Sequence, residues 1–308
     1  MTFNQNTIPE TVLNAWNALC SSNSGYLTYS VMGKDQSDTF DIAKVSAVPN
    51  CYNSANRGTS KPKVILFAGV HGNEKESVFA LYYLFKDICE HWKENKVLEY
   101  LRWNVIFEIV PLANPWGFAN GANINVRGVN INHNFDDIDH AIGYGQDQDL
   151  PGQEGEYPFS EKETQYLKSV IDDNKDAVVY FDFHTFVEST RYTYHDFDPM
   201  YKSSEYNMPM ANAAINHIDY IRRHWEDDYT HDTLDPAKVY SGIVYNTLGG
   251  HAYSYAMSLG VYGHVIECGG TLPGTTGIYS EDNLRMAVQT FGQWLQIALE
   301  TIYKLVEH

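Results

Sequence analysis

Short apolar runs alternate with segments of helical periodicity, and this alternation constrains the fold more than any other feature of the sequence. The run Val64–Ala68 ends at Gly69, and similar strand signals follow at 105–110, 178–183 and 261–267. Continuous apolar runs of this length are typical of parallel strands that are covered on both faces. The pattern therefore predicts an α/β fold with a mainly parallel, mixed central sheet and helices on both faces.

The rest of the chain adds helices and one pair of edge strands to this scheme. Residues 26–32 and 39–48 predict an edge hairpin, and 112–158 is a long Gly- and Asn-rich stretch that precedes a capping box at 160–163. Helical spacing occurs at 8–21, 78–88, 206–225, 251–259 and 281–306. Because no repeat or linker interrupts the sequence, residues 1–308 are predicted to form a single domain that includes 1–60.

Composition excludes several classes of function. A formal net charge of −18 argues against a nucleic-acid partner and against an anionic membrane surface. The N-terminus has no features of a signal peptide, and no apolar run is long enough to span a bilayer. The four cysteines are scattered without paired metal spacing, which is typical of free thiols in a reducing compartment. We therefore expect a cytoplasmic protein, and its oligomeric state stays open.

Four residues with metal chemistry follow the predicted strands: His71, Glu74, His184 and Glu267. Functional groups of parallel sheets gather outside the carboxyl ends of the strands. Two histidines and one carboxylate leave a fourth zinc position open for water, and a further glutamate can accept the proton of that water. A His-x-x-Glu motif alone occurs often by chance. The shared position of all four residues is the stronger evidence for metal-assisted hydrolysis.

The segment from Asn114 to Phe135 reads NPWGFANGANINVRGVNINHNF. It resembles the zinc carboxypeptidase family, the carboxypeptidase A-like metallopeptidases, in which an Asn-Pro-x-Gly segment precedes an Asp-x-Asn-Arg-Asn-Phe segment. Tyr245, which precedes two glycines and stands 22 residues before Glu267, is similar to the catalytic end of that family. The resemblance spans roughly 64–300. It implies a carboxypeptidase A-like (phosphorylase/hydrolase-like) fold.

The resemblance also implies roles for individual residues. His71, Glu74 and His184 would bind one zinc ion, Glu267 would be the general base, and Tyr245 would be a mobile residue that closes on bound substrate. The implied reaction is hydrolysis of an amide bond near the carboxyl terminus of a peptide or peptide-like substrate. The protein is therefore expected to be a metallopeptidase-type hydrolase.

Three positions depart from the family pattern, and each removes or weakens a charge. Asn123 stands where the family has an arginine that polarises the scissile carbonyl, and Asn130 where it has an aspartate that supports the first zinc histidine. His133 stands where the family has an arginine that, with the residue matched by Asn132, holds the terminal carboxylate of the substrate. Imidazole cannot offer the bidentate fork of arginine, and it is charged only below an unperturbed pKa of about 6.5. Arg127 either replaces a missing guanidinium or forms a surface salt bridge.

Two other functions remain open at this point. One is a deacylase of the desuccinylase or aspartoacylase kind, which cleaves N-acyl amino acids, and the weakened carboxylate anchor favours it. The other is a metal-binding module without turnover, which the altered loop favours and the retention of Glu267 opposes. The expected partner is a peptide or an N-acyl amino acid.

Overall fold

The computed structural model describes residues 3–50, 61–136, 152–185 and 250–267, the strand backbone at 194–197 and 244–245, and six helical positions between 288 and 299. The predicted helix at 206–225 lies outside these residues, and the predicted helix at 281–306 is represented by the six positions alone. No helix within the described residues is long and apolar enough to cross a membrane.

The described strands form one mixed sheet in the order β1-β2-β4-β3-β5-β8-β6-β7. Its four central strands, β4, β3, β5 and β8, run parallel to one another. On one side β2 pairs antiparallel with β4 and β1 with β2, which confirms the predicted edge hairpin. On the other side β6 pairs antiparallel with β8 and parallel with β7. The strands are β1 (Leu27–Lys34), β2 (Asp41–Ala47), β3 (Lys63–Ala68), β4 (Ile106–Val110), β5 (Val179–His184), β6 (Tyr194–Phe197), β7 (Val244–Tyr245) and β8 (Tyr262–Glu267).

Six helices have described bounds: α1 (Pro9–Ser22), α2 (Lys75–Glu90), α3 (Lys96–Asn104), α4 (Pro115–Asn120), α5 (Lys162–Asp173) and α6 (Ala252–Ser258). Helices α3 and α4 were not predicted, because both are short and neither shows a long apolar periodicity. The predicted capping box before α5 is wrong: Glu161 is the residue before the helix, and its side chain makes no capping bond. Instead, the Glu163 carboxylate accepts a hydrogen bond from the backbone N–H of Gln36.

Two apolar cores confirm that helices cover both faces of the sheet. One core joins α1, α2 and α3 to residues such as Val64, Leu66 and Phe181. The other joins α5 and α6 to residues such as Ile65 and Phe67. Strand β5 is buried along its whole length. Polar residues on this strand are therefore removed from water, and such groups are costly unless they are paired or used.

Candidate active site

The loop after β3 brings the first two candidate ligands to the carboxyl edge of the sheet. Gly69 adopts a left-handed backbone conformation, φ +67°, which turns the chain directly after the strand. Two residues later stands His71, and Glu74 immediately precedes α2. A Cβ at Gly69 would also lie 2.7 Å from Val78, so both the turn and the packing require glycine.

This loop is held against the Asn-Pro-Trp-Gly segment by backbone contacts. Asn114 donates its N–H to the Gly69 carbonyl at 2.9 Å, and Asn73 donates to the Ala122 carbonyl at 3.1 Å. At the closest point, a Cβ on Gly72 would lie only 2.1 Å from the backbone of Gly117. The two motifs noted in the sequence are therefore parts of one packed unit, and glycine is required where their backbones meet.

The three proposed ligands converge. The Nδ1 atom of His71 lies 2.7 Å from Glu74 Oε1, and the Nδ1 atom of His184 lies 3.0 Å from Glu74 Oε2. Among the described residues, these three side chains form the group whose possible ligand atoms all lie within 4.8 Å of one another. Thr185 donates its backbone N–H to Glu74 Oε2 at 2.9 Å, which ties the carboxylate to the end of β5.

Charge in the cluster is balanced between the carboxylate and the imidazoles. Burial alone would raise the pKa of Glu74, but the adjacent His71 and His184 outweigh it and hold that pKa well below its usual range. Burial disfavours the charged form of His184, yet Asp182 and Glu74 together raise its pKa well above the usual value. The site therefore holds an ionised Glu74 carboxylate next to two imidazole rings, and Glu74 and His184 are largely shielded from water.

The opposite ring nitrogens point away from Glu74 towards oxygen acceptors. His71 Nε2 lies 3.2 Å from Asn130 Oδ1, and His184 Nε2 lies 3.2 Å from Asp182 Oδ2. The His71 contact is a hydrogen bond, and an Nε2–H directed to such an acceptor leaves Nδ1 as the donor atom for a metal; the His184 contact is an ion pair that favours the same assignment. Two histidines and one carboxylate arranged in this way match the donor set of a catalytic zinc site with one open position. The residues present fit a zinc ion.

Glu267 ends β8 directly beside this cluster. In the parallel pairing of β5 with β8, the register partner of Glu267 is His184. The backbone of Tyr245 lies two strands away on β7, because β6 separates β7 from β8. The fold thus brings the backbone of the expected base next to a proposed ligand. The movement expected of Tyr245 stays a prediction.

The Asn-rich loop contains both structural and site residues. Asn130 accepts from His71 and also from the backbone N–H of Asn132, so one side-chain oxygen shapes the loop and orients the ring. Asn123 is exposed on this loop. Arg127 lies 3.4 Å from the buried Glu161 carboxylate, with 45% of its own side chain exposed, which supports the salt-bridge interpretation.

Asn132 and His133 form a buried turn directly after Asn130. The Asn132 side-chain oxygen has no hydrogen-bond partner among the described residues. The ring of His133 lies 4.3 Å, between centroids, from the ring of His251, which is also buried. Phe135 donates its N–H to the Gly250 carbonyl at 2.8 Å, and this bond holds the two segments together.

Sequence reasoning missed Asp182 and the placement of His251. Asp182 was visible as a carboxylate two residues before His184 in an apolar strand, so that both side chains share a face. That alternation was a usable signal. The contact between His251 and His133 had no sequence signal, since 118 positions separate the two residues (251 minus 133).

A zinc carboxypeptidase family model matches residues 14–276 of the 308. The chain belongs to the zinc carboxypeptidase family. Carboxypeptidases of this family are zinc enzymes, which agrees with the ligand set described above. No curated protein sequence matches this chain significantly.

Solved structures share the fold at low sequence identity. Carboxypeptidase A from Helicoverpa armigera is 16% identical with a TM-score of 0.73, over 98% of this chain and 75% of that chain. Thrombin-activatable fibrinolysis inhibitor is 14% identical with a TM-score of 0.73, over 97% and 75%. A metallo-carboxypeptidase from Burkholderia cenocepacia is 15% identical with a TM-score of 0.62, over 95% and 69%. These similarities confirm the carboxypeptidase A-like fold.

Proposed function

We propose that this zinc carboxypeptidase family member is a zinc-dependent hydrolase of an amide bond near the carboxyl terminus of a peptide or peptide-like substrate. One observation carries the proposal: the group of His71, Glu74 and His184, in which both Nδ1 atoms face the same buried carboxylate. We assign these three residues as the ligands of one zinc ion.

Bound zinc would supply a Lewis acid that lowers the pKa of its water to about 7 and polarises a carbonyl. Glu267 is the proposed general base: it accepts the proton of the attacking water and passes it to the leaving amine. The register of β8 against β5, which sets Glu267 beside His184, supports this role. Asn123 is the candidate donor to the scissile carbonyl oxygen, and Tyr245 the residue that closes over the substrate.

The proposed anchor for the substrate carboxylate consists of Asn132 and His133, with His251 as a third contributor. Asn132 offers a buried side-chain oxygen without a hydrogen-bond partner among the described residues, and the rings of His133 and His251 pack together with their centroids 4.3 Å apart. An imidazole anchor is a weaker and pH-dependent substitute for a guanidinium. We therefore expect KM for a substrate with a free carboxylate to rise with pH, and His133→Arg to flatten that dependence.

The first test is metal content by elemental analysis of the purified protein beside His71→Ala. About one zinc per chain, lost in the variant, is the expected result. Hydrolysis of C-terminal peptides, the same peptides ending in an amide, and N-acyl amino acids then identifies the substrate class. A protein that binds no zinc after zinc is supplied refutes the proposal.

N-acyl amino acid deacylation is the second candidate. The observation in its favour is that Arg127, the loop arginine that could have supplied a guanidinium anchor, is engaged by Glu161. Faster hydrolysis of N-acyl amino acids than of any peptide would support the deacylase. Zinc binding without hydrolysis of either class, and without any effect of Glu267→Gln, would support a metal-binding module.

A further inference from the structure

The two proposed zinc histidines differ in what holds their outer ring nitrogens. His71 Nε2 faces the amide oxygen of Asn130, a neutral group, at 3.2 Å. His184 Nε2 faces the carboxylate of Asp182, also at 3.2 Å. Negative charge behind the ligands is thus present at one histidine and absent at the other.

Asp182 occupies an environment that is unusual for a carboxylate. The residue is 0% exposed, in the middle of a fully buried strand. Neither of its oxygens has a hydrogen-bond partner of acceptable geometry within the described residues. A buried carboxylate is expensive without a charged partner, and the His184 imidazole, whose Nε2 lies 3.2 Å from Asp182 Oδ2, is such a partner when it is protonated or bound to a metal.

The neighbours of Asp182 along β5 indicate which group its carboxylate acts on. Every second residue of a strand points to the same face, so Tyr180, Asp182 and His184 share one face of β5. Asp182 is therefore between Tyr180 and the proposed ligand along the strand. Burial and the neighbouring Asp182 charge raise the pKa of Tyr180 well above its usual value, so the phenol stays neutral. Of these three residues, His184 is the one whose imidazole a bound metal cation would polarise, and the Asp182 carboxylate lies next to it.

We propose that Asp182 is the positioning residue of the zinc site: it holds the Nε2–H of His184, keeps Nδ1 directed at the metal, and supplies the supporting negative charge that Asn130 lacks at His71. This inference rests on the proposed zinc site. Carboxylates that orient metal-binding histidines raise the basicity of the ligand, and their removal typically weakens metal affinity about 10- to 100-fold.

The test is zinc affinity, measured by competition with a chelator of known affinity. Asp182→Asn retains the shape and an acceptor oxygen but removes the charge, and we expect the zinc dissociation constant to rise about 10- to 100-fold. Adding Asn130→Asp to this variant restores charge behind the other histidine, and we expect it to recover most of the loss. Glu163→Gln is the matched control: it removes another fully buried carboxylate, which contacts Asn125 and Gln36, and should leave zinc affinity unchanged.

A measurement on the unaltered protein covers the case in which Asp182→Asn does not fold. In the zinc-loaded protein, long-range ¹H–¹⁵N spectra should show His184 metal-bound through Nδ1, with its Nε2–H slower to exchange and further downfield than that of His71. A zinc affinity of Asp182→Asn within about threefold of wild type, or a His184 bound through Nε2, would overturn the proposal. If the wild-type protein binds no zinc, the proposed function fails first, so the two failures are distinguishable.

Discussion

Replacement of Gly72 by alanine tests whether packing between two backbones shapes the proposed metal site. A Cβ at this position would lie 2.1 Å from both Gly117 C and Phe118 N. Carbon contacts are optimal from about 3.5 Å, so the two loops would have to separate by about 1.4 Å. Overpacking typically costs about 1–3 kcal/mol, and the upper end applies because both neighbours are backbone atoms that cannot rotate away. At about 2 °C per kcal/mol for a chain of this size, Tm should fall by about 6 °C.

The same displacement should reach the proposed zinc site, because His71 is the residue directly before Gly72. We expect the zinc dissociation constant of Gly72→Ala to rise at least about tenfold, the scale seen when support of a ligand is lost. Gly121→Ala is the matched control: φ is +64°, but a Cβ there meets nothing within 4 Å. It should cost only about 1–2 kcal/mol of backbone strain and leave zinc affinity unchanged. Equal Tm and equal zinc affinity in the two variants would refute the packing argument.

Three further outcomes are expected. Glu267→Gln should lower kcat about 10²- to 10⁴-fold while zinc content by elemental analysis stays at the wild-type value, since a base is lost but no ligand; loss of zinc would contradict the assignment. His251→Ala should raise KM for a substrate with a free terminal carboxylate but not for its amide, with kcat little changed; an equal effect on both substrates would remove His251 from the anchor. Burial raises the pKa of Glu163 from 4.5 to about 6, so the unfolded chain loses this proton at lower pH than the folded protein. As pH rises from about 4.5 to above 6, the unfolding free energy of wild type should therefore fall by about 2 kcal/mol relative to that of Glu163→Gln. If urea unfolding gives the same pH dependence of the unfolding free energy for both proteins, Glu163 is not the responsible group.

Periodicity was sufficient to predict the central strands, because strands buried on both faces must be continuously apolar. The runs at 64–68, 105–110, 178–183 and 261–267 appear as β3, β4, β5 and β8 within about one residue at either end. Helix α4 was missed for a physical reason: six residues carry too little periodic signal, and its start depends on the Asn114 side chain accepting from Gly117 N at 2.8 Å. The capping box failed because a tertiary bond from Gln36 occupies the Glu163 carboxylate.

The sequence by itself determined the four parallel central strands, the edge hairpin and the candidate ligands His71, Glu74 and His184, because burial of strands and the donor preferences of zinc are local properties of residue type. Only the tertiary structure decided which ring nitrogen of each histidine faces the site and which oxygen stands behind it. It also decided that Arg127 pairs with Glu161 and that His251 packs against His133. Such contacts join residues far apart in the chain, and their distances depend on the strand register and on the packing of the loops at the sheet edge.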